Sequence, residues 1–257
     1  MKSLLTISKF SFRQAKERSA YKYAIIIQPI LFSVLFYLIN VASGQGLSAM
    51  AIVGKSGMIS LWSSVCFSSL CDLQREKDSR TLAALLVTPT SLFKVILGKV
   101  IPNTLMGVIS FCVSAITIII LSRGRMDIEM SFCGIIICLF ILLLSYIATA
   151  MFFIPIFSIY ENARLLINCI EYPIFIITGM AFPTSLLPGI IQRVGELLPL
   201  TWGVKIFNNI ITKHDLSAIN YGDIKVYIII ISIYVAIDVV LFEIVERKIR
   251  INATIRI

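Results

Sequence analysis

The sequence has few charged residues and a single histidine. Of its 257 residues, 14% are charged and 58% are hydrophobic, whereas soluble domains average about a quarter charged and about half apolar. The lone His214 excludes a zinc site built from several histidines. The six cysteines lie in apolar runs without a CxxC pair, which indicates buried thiols rather than a disulfide framework or a metal site. Because the charges fall between long apolar runs, the composition predicts an integral membrane protein.

The sequence also lacks a phosphate-binding loop. Gly54-Lys55-Ser56 matches the end of GxxxxGK[ST], but Ala49 stands where the first glycine is required, and the segment lies in an apolar run. The net charge of +9 does not indicate nucleic-acid binding, because the basic residues lie at the ends of apolar segments. We expect no catalytic residue, cofactor, metal or nucleic-acid partner for this chain.

Long apolar runs between the charged residues predict an all-α bundle of six transmembrane helices. Lipid cannot satisfy free backbone groups, so only helices or closed barrels span it. These runs are too long and too evenly apolar for barrel strands, which alternate between apolar and polar residues. The predicted spans cover about 23–41, about 52–71, the uncharged stretches 100–122 and 130–160, about 165–182 and about 226–242.

The distribution of Lys and Arg predicts that both termini are cytoplasmic, because basic residues concentrate in the segments that this orientation places inside. We interpret 1–257 as a single transmembrane domain with three additional parts. Residues 1–22 form an interfacial helix on the inner surface. Residues 72–92 form a cytoplasmic region with an amphipathic helix that ends before a proline. Residues 183–223 are broken by prolines and form an outer re-entrant region between the fifth and sixth spans.

Two motifs resemble a known family. The stretch 75–89 reads REKDSRTLAALLVTP and is followed by Gly98-Lys99, while 178–183 reads TGMAFP. This pattern resembles the signature of ABC-2 type transporter permeases, in which an acidic-basic opening leads through GTLExLLVTP to GK at the start of the third span. Arg80 stands where the family usually has glycine, and Ala83 where it usually has an acid.

The resemblance implies a function. The chain is expected to be the membrane-spanning permease subunit of an ATP-driven ABC exporter in the cell membrane, where it contacts membrane lipid. It is expected to form the translocation path as a dimer with a second permease chain, which is either identical or related. ATP hydrolysis is expected in a separate ABC ATPase subunit, which contacts the coupling helix between the second and third spans. The residues expected to couple to the ATPase are Arg75, Glu76, Arg80, Leu82, Leu85, Leu86 and Pro89.

Ionisable side chains within the predicted spans are further candidates. Glu171 lies deepest, beside Tyr172. A charge in a membrane costs at least a few kcal/mol, so Glu171 and Tyr172 are candidates for the translocation path between two copies of the chain. A protonated Glu171 that bonds to a neighbouring helix is an equally good interpretation. Asp238 lies near the predicted inner end of the sixth span, where reaching the interface explains it.

Two other classes of function remain open from the residues alone. A secondary transporter or channel would act without an ATPase, but we find no repeat of Gly/Pro-broken spans in two halves. A polytopic membrane enzyme would need clustered acids or histidines, and the acids here are scattered. The sequence leaves the transported substrate open among drugs, peptides and glycolipid-like molecules.

Overall fold

The computed structural model of the chain describes residues 23–44, 49–70, 72–78, 91–123, 132–160, 163–213 and 220–255, and within these ranges every regular element is helical. The helices are α1 (Gln28–Ser43), α2 (Ala49–Val65), α3 (Asp72–Asp78), α4 (Leu92–Leu121), α5 (Phe132–Phe157), α6 (Ala163–Ile177), α7 (Gly189–Leu197), α8 (Pro199–Lys213) and α9 (Tyr221–Ile255). Two π-helical turns and a 3₁₀ turn join them: Tyr23–Ile27 precedes α1, Cys66–Leu70 follows α2, and Thr184–Leu186 precedes α7.

Five helical stretches are long and apolar enough to cross a membrane: Tyr23–Ser43, Ala49–Glu76, Leu92–Leu121, Gly134–Phe157 and Tyr221–Ile249. They correspond to five of the six predicted spans, so the all-α membrane fold is confirmed. The first of them ends where the sequence predicts, because Gly44 adopts a left-handed conformation with φ +62°. The predicted interfacial helix over 1–22 lies outside the described residues.

The fifth predicted span is shorter in the structure than the sequence indicates. Helix α6 has 15 residues, a length of about 22 Å against a hydrocarbon core of about 30 Å. It ends at Ile177 because Gly179 adopts φ +79°. The Gly179 amide donates to Ile176 O at 3.2 Å and the Met180 amide to Phe175 O at 3.1 Å. These two bonds form a Schellman motif, which terminates a helix at a left-handed glycine.

The final helix is longer than predicted. The sequence predicts a span over about 226–242, whereas α9 runs over Tyr221–Ile255. The apolar run marks only the part of a helix that suits lipid, and a helix can continue beyond the membrane where its polar side chains reach water. Of the predicted outer region 183–223, residues 214–219 lie outside the described part, and the rest contains α7 and α8.

Helix α2 lies at the centre of the bundle, where it packs along α4 and also contacts α1, α5, α6 and α8. Its Trp62 is fully buried and stacks on Tyr146 of α5, with ring centroids 5.9 Å apart. The Tyr146 hydroxyl donates to Met58 O at 2.8 Å. A buried hydroxyl needs such a partner, because an unpaired one costs about 1–3 kcal/mol.

A glycine allows the close approach of α2 and α4. A Cβ atom on Gly57 would lie 2.5 Å from the Phe111 ring, closer than any van der Waals contact. The Phe111 ring also contacts Phe207 of α8 edge-on, with centroids 6.1 Å apart. Small residues let helices approach closely in membranes, where dispersion contacts replace the hydrophobic effect as the driving force. Gly57 therefore sets the spacing of the three central helices.

Candidate functional site

A buried acid ties the short helix α3 to α4. Asp72, the first residue of α3, is 5% exposed. Its Oδ1 accepts a hydrogen bond from Arg75 Nη1 at 2.9 Å, and its Oδ2 accepts one from Asn103 Nδ2 at 3.1 Å. A buried carboxylate is tolerated when charged and polar partners satisfy it in this way. Asp72 thus fixes α3 against the side of α4.

Arg75 closes the end of the π-helical turn after α2. Its Nη1 donates to Ser68 O at 2.9 Å, and its Nη2 donates to Phe67 O at 2.5 Å. The last carbonyls of a helix have no partner within the helix, and the planar guanidinium can reach two of them and Asp72 together. The side chain of Arg75 therefore joins the end of the α2 segment to α3.

Two further contacts extend these connections to α4 and α9. The Lys99 ammonium on α4 forms an ion pair with the Glu76 carboxylate on α3. At the start of α4, the Leu92 amide donates to Glu246 Oε2 of α9 at 3.0 Å. A carboxylate is favourable at this position because the N-terminus of a helix carries free N–H groups.

We refer to Asp72, Arg75, Glu76, Lys99 and Asn103 as the α3 network.

The structure describes two of the seven residues expected to couple to an ATPase. Arg75 and Glu76 both belong to the α3 network, where their charged groups contact residues of the same chain. The other five, Arg80, Leu82, Leu85, Leu86 and Pro89, lie outside the described residues, as does most of the predicted coupling region 72–92. The described start of that region, α3, is helical and is held by α2 and α4.

A second polar cluster surrounds Glu171 inside the bundle. Glu171 is 2% exposed, and its Oε1 accepts hydrogen bonds from Ser63 Oγ at 2.5 Å and from Gln28 Nε2 at 3.4 Å. The carboxyl group of α6 thus meets neutral donors on α2 and α1. Among the described residues, Gln28 Oε1 and the buried Ser64 Oγ have no hydrogen-bond partner. We refer to Glu171, Ser63 and Gln28 as the Glu171 cluster.

Serine hydroxyls continue the polar interior between α1, α2 and α4. Ser114 Oγ lies 2.7 Å from Ser33 Oγ and 2.6 Å from Ser56 Oγ, and all three residues are fully buried. Hydroxyl pairs between transmembrane helices are each worth about 0.6 kcal/mol on average. They therefore contribute only weakly to holding the three helices together.

The two residues expected to line a translocation path point in different directions. Glu171 faces the interior of the bundle, whereas Tyr172 is 57% exposed and contacts Phe175 edge-on, with ring centroids 5.8 Å apart. Tyr172 borders an apolar groove of about 430 Å³ between α6 and α7. The remaining lining residues are Pro173, Ile176, Ile177, Leu187, Ile190, Ile191 and Val194. The chain therefore presents an apolar outer face at α6 and α7.

Asp238 is buried rather than placed at a helix end. It is 2% exposed, and its Oδ1 has no hydrogen-bond partner among the described residues. Because α9 continues to Ile255, Asp238 lies well within the helix. A side chain this deeply buried does not reach water at an interface, so the expectation that Asp238 does so is wrong.

Sequence reasoning missed several members of these clusters. Gln28 and Asn103 are isolated amides within long apolar runs, and polar residues in such runs usually face other helices rather than lipid. That signal could have identified both. The part of the chain that the structure describes contains no group of three His, Cys, Asp or Glu side chains that could hold a metal ion.

Comparison with known proteins agrees with this architecture. The model of the ABC-2 type transporter family matches residues 2–212, which include the α3 network and the Glu171 cluster. A search of curated protein sequences gave no significant match. The family match extends over most of the 257 residues. The chain therefore belongs to the ABC-2 type transporter family and is the membrane component of an ABC transporter.

Proposed function

We propose that this chain is the permease subunit of an ATP-driven exporter, which pairs with a second permease chain and couples through its cytoplasmic region 72–92 to a separate ABC ATPase subunit. Membership of the family implies a partner ATPase. The observation that carries the proposal beyond membership is the α3 network. It connects the start of the region that is expected to contact the ATPase to two long helices of the bundle.

The α3 network supports a coupling role because it can transmit a displacement. Asp72 and Arg75 join α3 to the end of the α2 segment and to Asn103 of α4. The Glu246–Leu92 contact adds α9 to the same end of the bundle. A push on α3 would therefore move α2 and α4 together. Helix α2 carries Ser63 of the Glu171 cluster and the buried Ser56, and α4 carries the buried Ser114.

We propose six spans with both termini cytoplasmic and a cell-membrane location. In this arrangement α6 crosses most of the bilayer, and the outer region that contains α7 and α8 completes the crossing before α9 returns. The basic residues that the sequence places on the inner side support this orientation. The lengths of α7 and α8, 9 and 15 residues, support a re-entrant or surface position, because a span needs about 20 residues.

We propose that a second permease chain covers α6 and that the path lies between the two copies. The exposed Tyr172 and Ile176 of helix α6 form an apolar face. In the proposed mechanism, ATP-driven movement of α3 shifts α2 relative to α6. That shift would break the Ser63–Glu171 hydrogen bond and let the Glu171 carboxyl turn from the bundle interior towards the path between the copies.

Affinity purification with a matched control tests the proposed function. The chain is isolated in mild detergent from its host, and the bound proteins are identified by mass spectrometry. We expect an ABC ATPase with the wild-type chain and its loss with Leu85→Asp/Leu86→Asp. The control pair Leu186→Asp/Leu197→Asp, at exposed positions near α7, should retain it. A chain that transports without any ATPase would instead support a secondary transporter or channel.

A further inference from the structure

A polar cavity of about 230 Å³ lies between the end of α6, helix α7 and helix α8. It is separate from both the α3 network and the Glu171 cluster. Its polar lining includes Thr184, Ser185, Gln192, Glu196, Trp202 and Asn209. The lining thus combines hydroxyls, carboxamides, an indole ring and two opposite charges, the Glu196 carboxylate and the Lys205 ammonium.

Hydrogen bonds to main-chain carbonyls hold the walls of the cavity in place. Trp202 Nε1 donates to Glu196 O at 2.8 Å, which joins α8 to α7. Gln192 Nε2 donates to Leu187 O at 2.7 Å, and Thr201 Oγ1 donates to Gly195 O at 2.6 Å. Because the walls are fixed in this way, a ligand would not have to order them on binding, and this preorganisation favours affinity.

The charges around the cavity disfavour an ionic ligand of either sign. Lys205 Nζ forms an ion pair with Asp223 Oδ1 at 2.9 Å and lies 4.8 Å from the centroid of the Trp202 ring. Because the lining carries both the Lys205 ammonium and the Glu196 carboxylate, an anion would meet Glu196. A cation would meet Lys205. A neutral ligand that exchanges hydrogen bonds with hydroxyl and carboxamide groups avoids both penalties.

Helix α7 places the cavity at a boundary between apolar and polar surroundings. Its Gln192 and Glu196 line the cavity, whereas Ile190 and Val194 line the apolar groove on the side of α6. Ile190 is 80% exposed and Val194 is 50% exposed. A short helix with one apolar and one polar face lies in the membrane interface. The cavity would then be open to groups at the membrane surface.

We propose that this cavity binds a neutral, hydroxyl-rich group, of the chemistry of a glycosyl unit, at the outer membrane surface. The assignment to the outer surface rests on the orientation in the proposed function. The volume corresponds to about eight water molecules at ~30 Å³ each and is below the ~300–1,000 Å³ of pockets for drug-sized ligands. It therefore suits one sugar ring, carried by either a glycolipid or a free saccharide.

Saturation-transfer NMR on the purified full-length chain tests this site. The chain is kept in a detergent without a sugar headgroup, and the probes are methyl β-glucoside, methyl β-galactoside and methyl β-mannoside, with choline as a cationic comparison. We expect transfer to at least one glycoside and at least a fivefold loss with Glu196→Ala or Asn209→Ala. The control Glu243→Ala, an exposed acid on α9, should leave the transfer unchanged, and size-exclusion chromatography checks the fold of each variant.

Three results would overturn the proposal: no transfer to any glycoside, equal transfer with Glu196→Ala, or binding of choline alone. Competition by glucosyl-diacylglycerol in nanodiscs, set against diacylglycerol, distinguishes the two sources of the sugar. Displacement by the glycolipid indicates a lipid headgroup, and displacement by free glycoside alone indicates a soluble saccharide. The assay contains no ATPase, so a failure here leaves the proposed permease function intact, and loss of the ATPase partner would leave this binding site intact.

Discussion

Replacing Arg75 by alanine should release the turn that connects α2 to α3. The guanidinium donates to the Phe67 and Ser68 carbonyls and to the Asp72 carboxylate. Hydrogen bonds that involve a charged group contribute about 1.5–3 kcal/mol each. The Arg75 side chain is 24% exposed, so water can replace part of what is lost. We therefore expect the local opening free energy to fall by about 3 kcal/mol.

Cys66 reports this opening, because it lies in the π-helical turn that Arg75 closes and is 1% exposed. In a chain that keeps only Cys66, with the other five cysteines replaced by alanine, a maleimide labels the thiol only when the turn opens. A change of 1.36 kcal/mol corresponds to tenfold, so Arg75→Ala should accelerate labelling by about 150-fold. Arg75→Lys should give a smaller increase, because one ammonium cannot reproduce the planar fork.

The matched control is Arg247→Ala, which removes an exposed arginine of α9 and should change the labelling rate by less than twofold. An Arg75→Ala chain that labels at the rate of its parent would refute the argument that Arg75 closes the turn. Equal acceleration by Arg247→Ala would show that the effect reflects net charge rather than the three hydrogen bonds.

Three further substitutions test other parts of the structure. Glu171→Leu should lower the free energy of unfolding by about 2–4 kcal/mol, because Ser63 and Gln28 lose their acceptor. Glu171→Gln should lower it by less than about 1 kcal/mol, and thermal unfolding in detergent measures both changes. Unchanged transport and assembly with Glu171→Gln would show that Glu171 does not line the path. Gly57→Ala places a Cβ atom 2.5 Å from the Phe111 ring, so the free energy of unfolding should fall by about 1–3 kcal/mol. Adding Phe111→Leu to this variant should restore part of that loss. A Gly57→Ala chain as stable as its parent would contradict the close packing of α2 and α4. Gly179→Ala forces a residue with a Cβ into φ +79° at a cost of about 1–2 kcal/mol, so the melting temperature of the chain should fall. The control is Gly189→Ala, which should not lower the melting temperature because a Cβ there meets nothing within 4 Å.

Much of the fold could be predicted from the sequence because charged residues are sparse and fall at the ends of apolar runs. The end of α1 at Gly44 was visible as a turn signal, and it is confirmed. The end of α6 was not, because Gly179 lies within a sequence that stays apolar to Phe182. Whether a glycine ends a helix depends on its φ angle, which hydropathy does not record.

The functional clusters were harder to predict, because they join residues that are distant in the sequence. Asp72 and Asn103 meet because α3 folds against α4. Gln28 meets Glu171 because α1 and α6 pack against each other, as the contact between Phe32 and Phe175 shows. Hydropathy identified Glu171 as exceptional but not its partners. Arg75 and Glu76 were assigned to ATPase contacts by resemblance. The structure adds their contacts within the chain, and the assignment to the ATPase stays a prediction.

Photocrosslinking from position 85 in intact cells tests the central claim most directly. A benzophenone amino acid replaces Leu85 in the full-length chain, the cells are irradiated, and the crosslinked protein is identified by mass spectrometry. We expect an adduct with an ABC ATPase that carries GxxxxGK[ST], and no such adduct when the same amino acid replaces the exposed Leu186. An adduct with the same ATPase from position 186 but none from position 85 would contradict both the coupling region and the orientation of the chain.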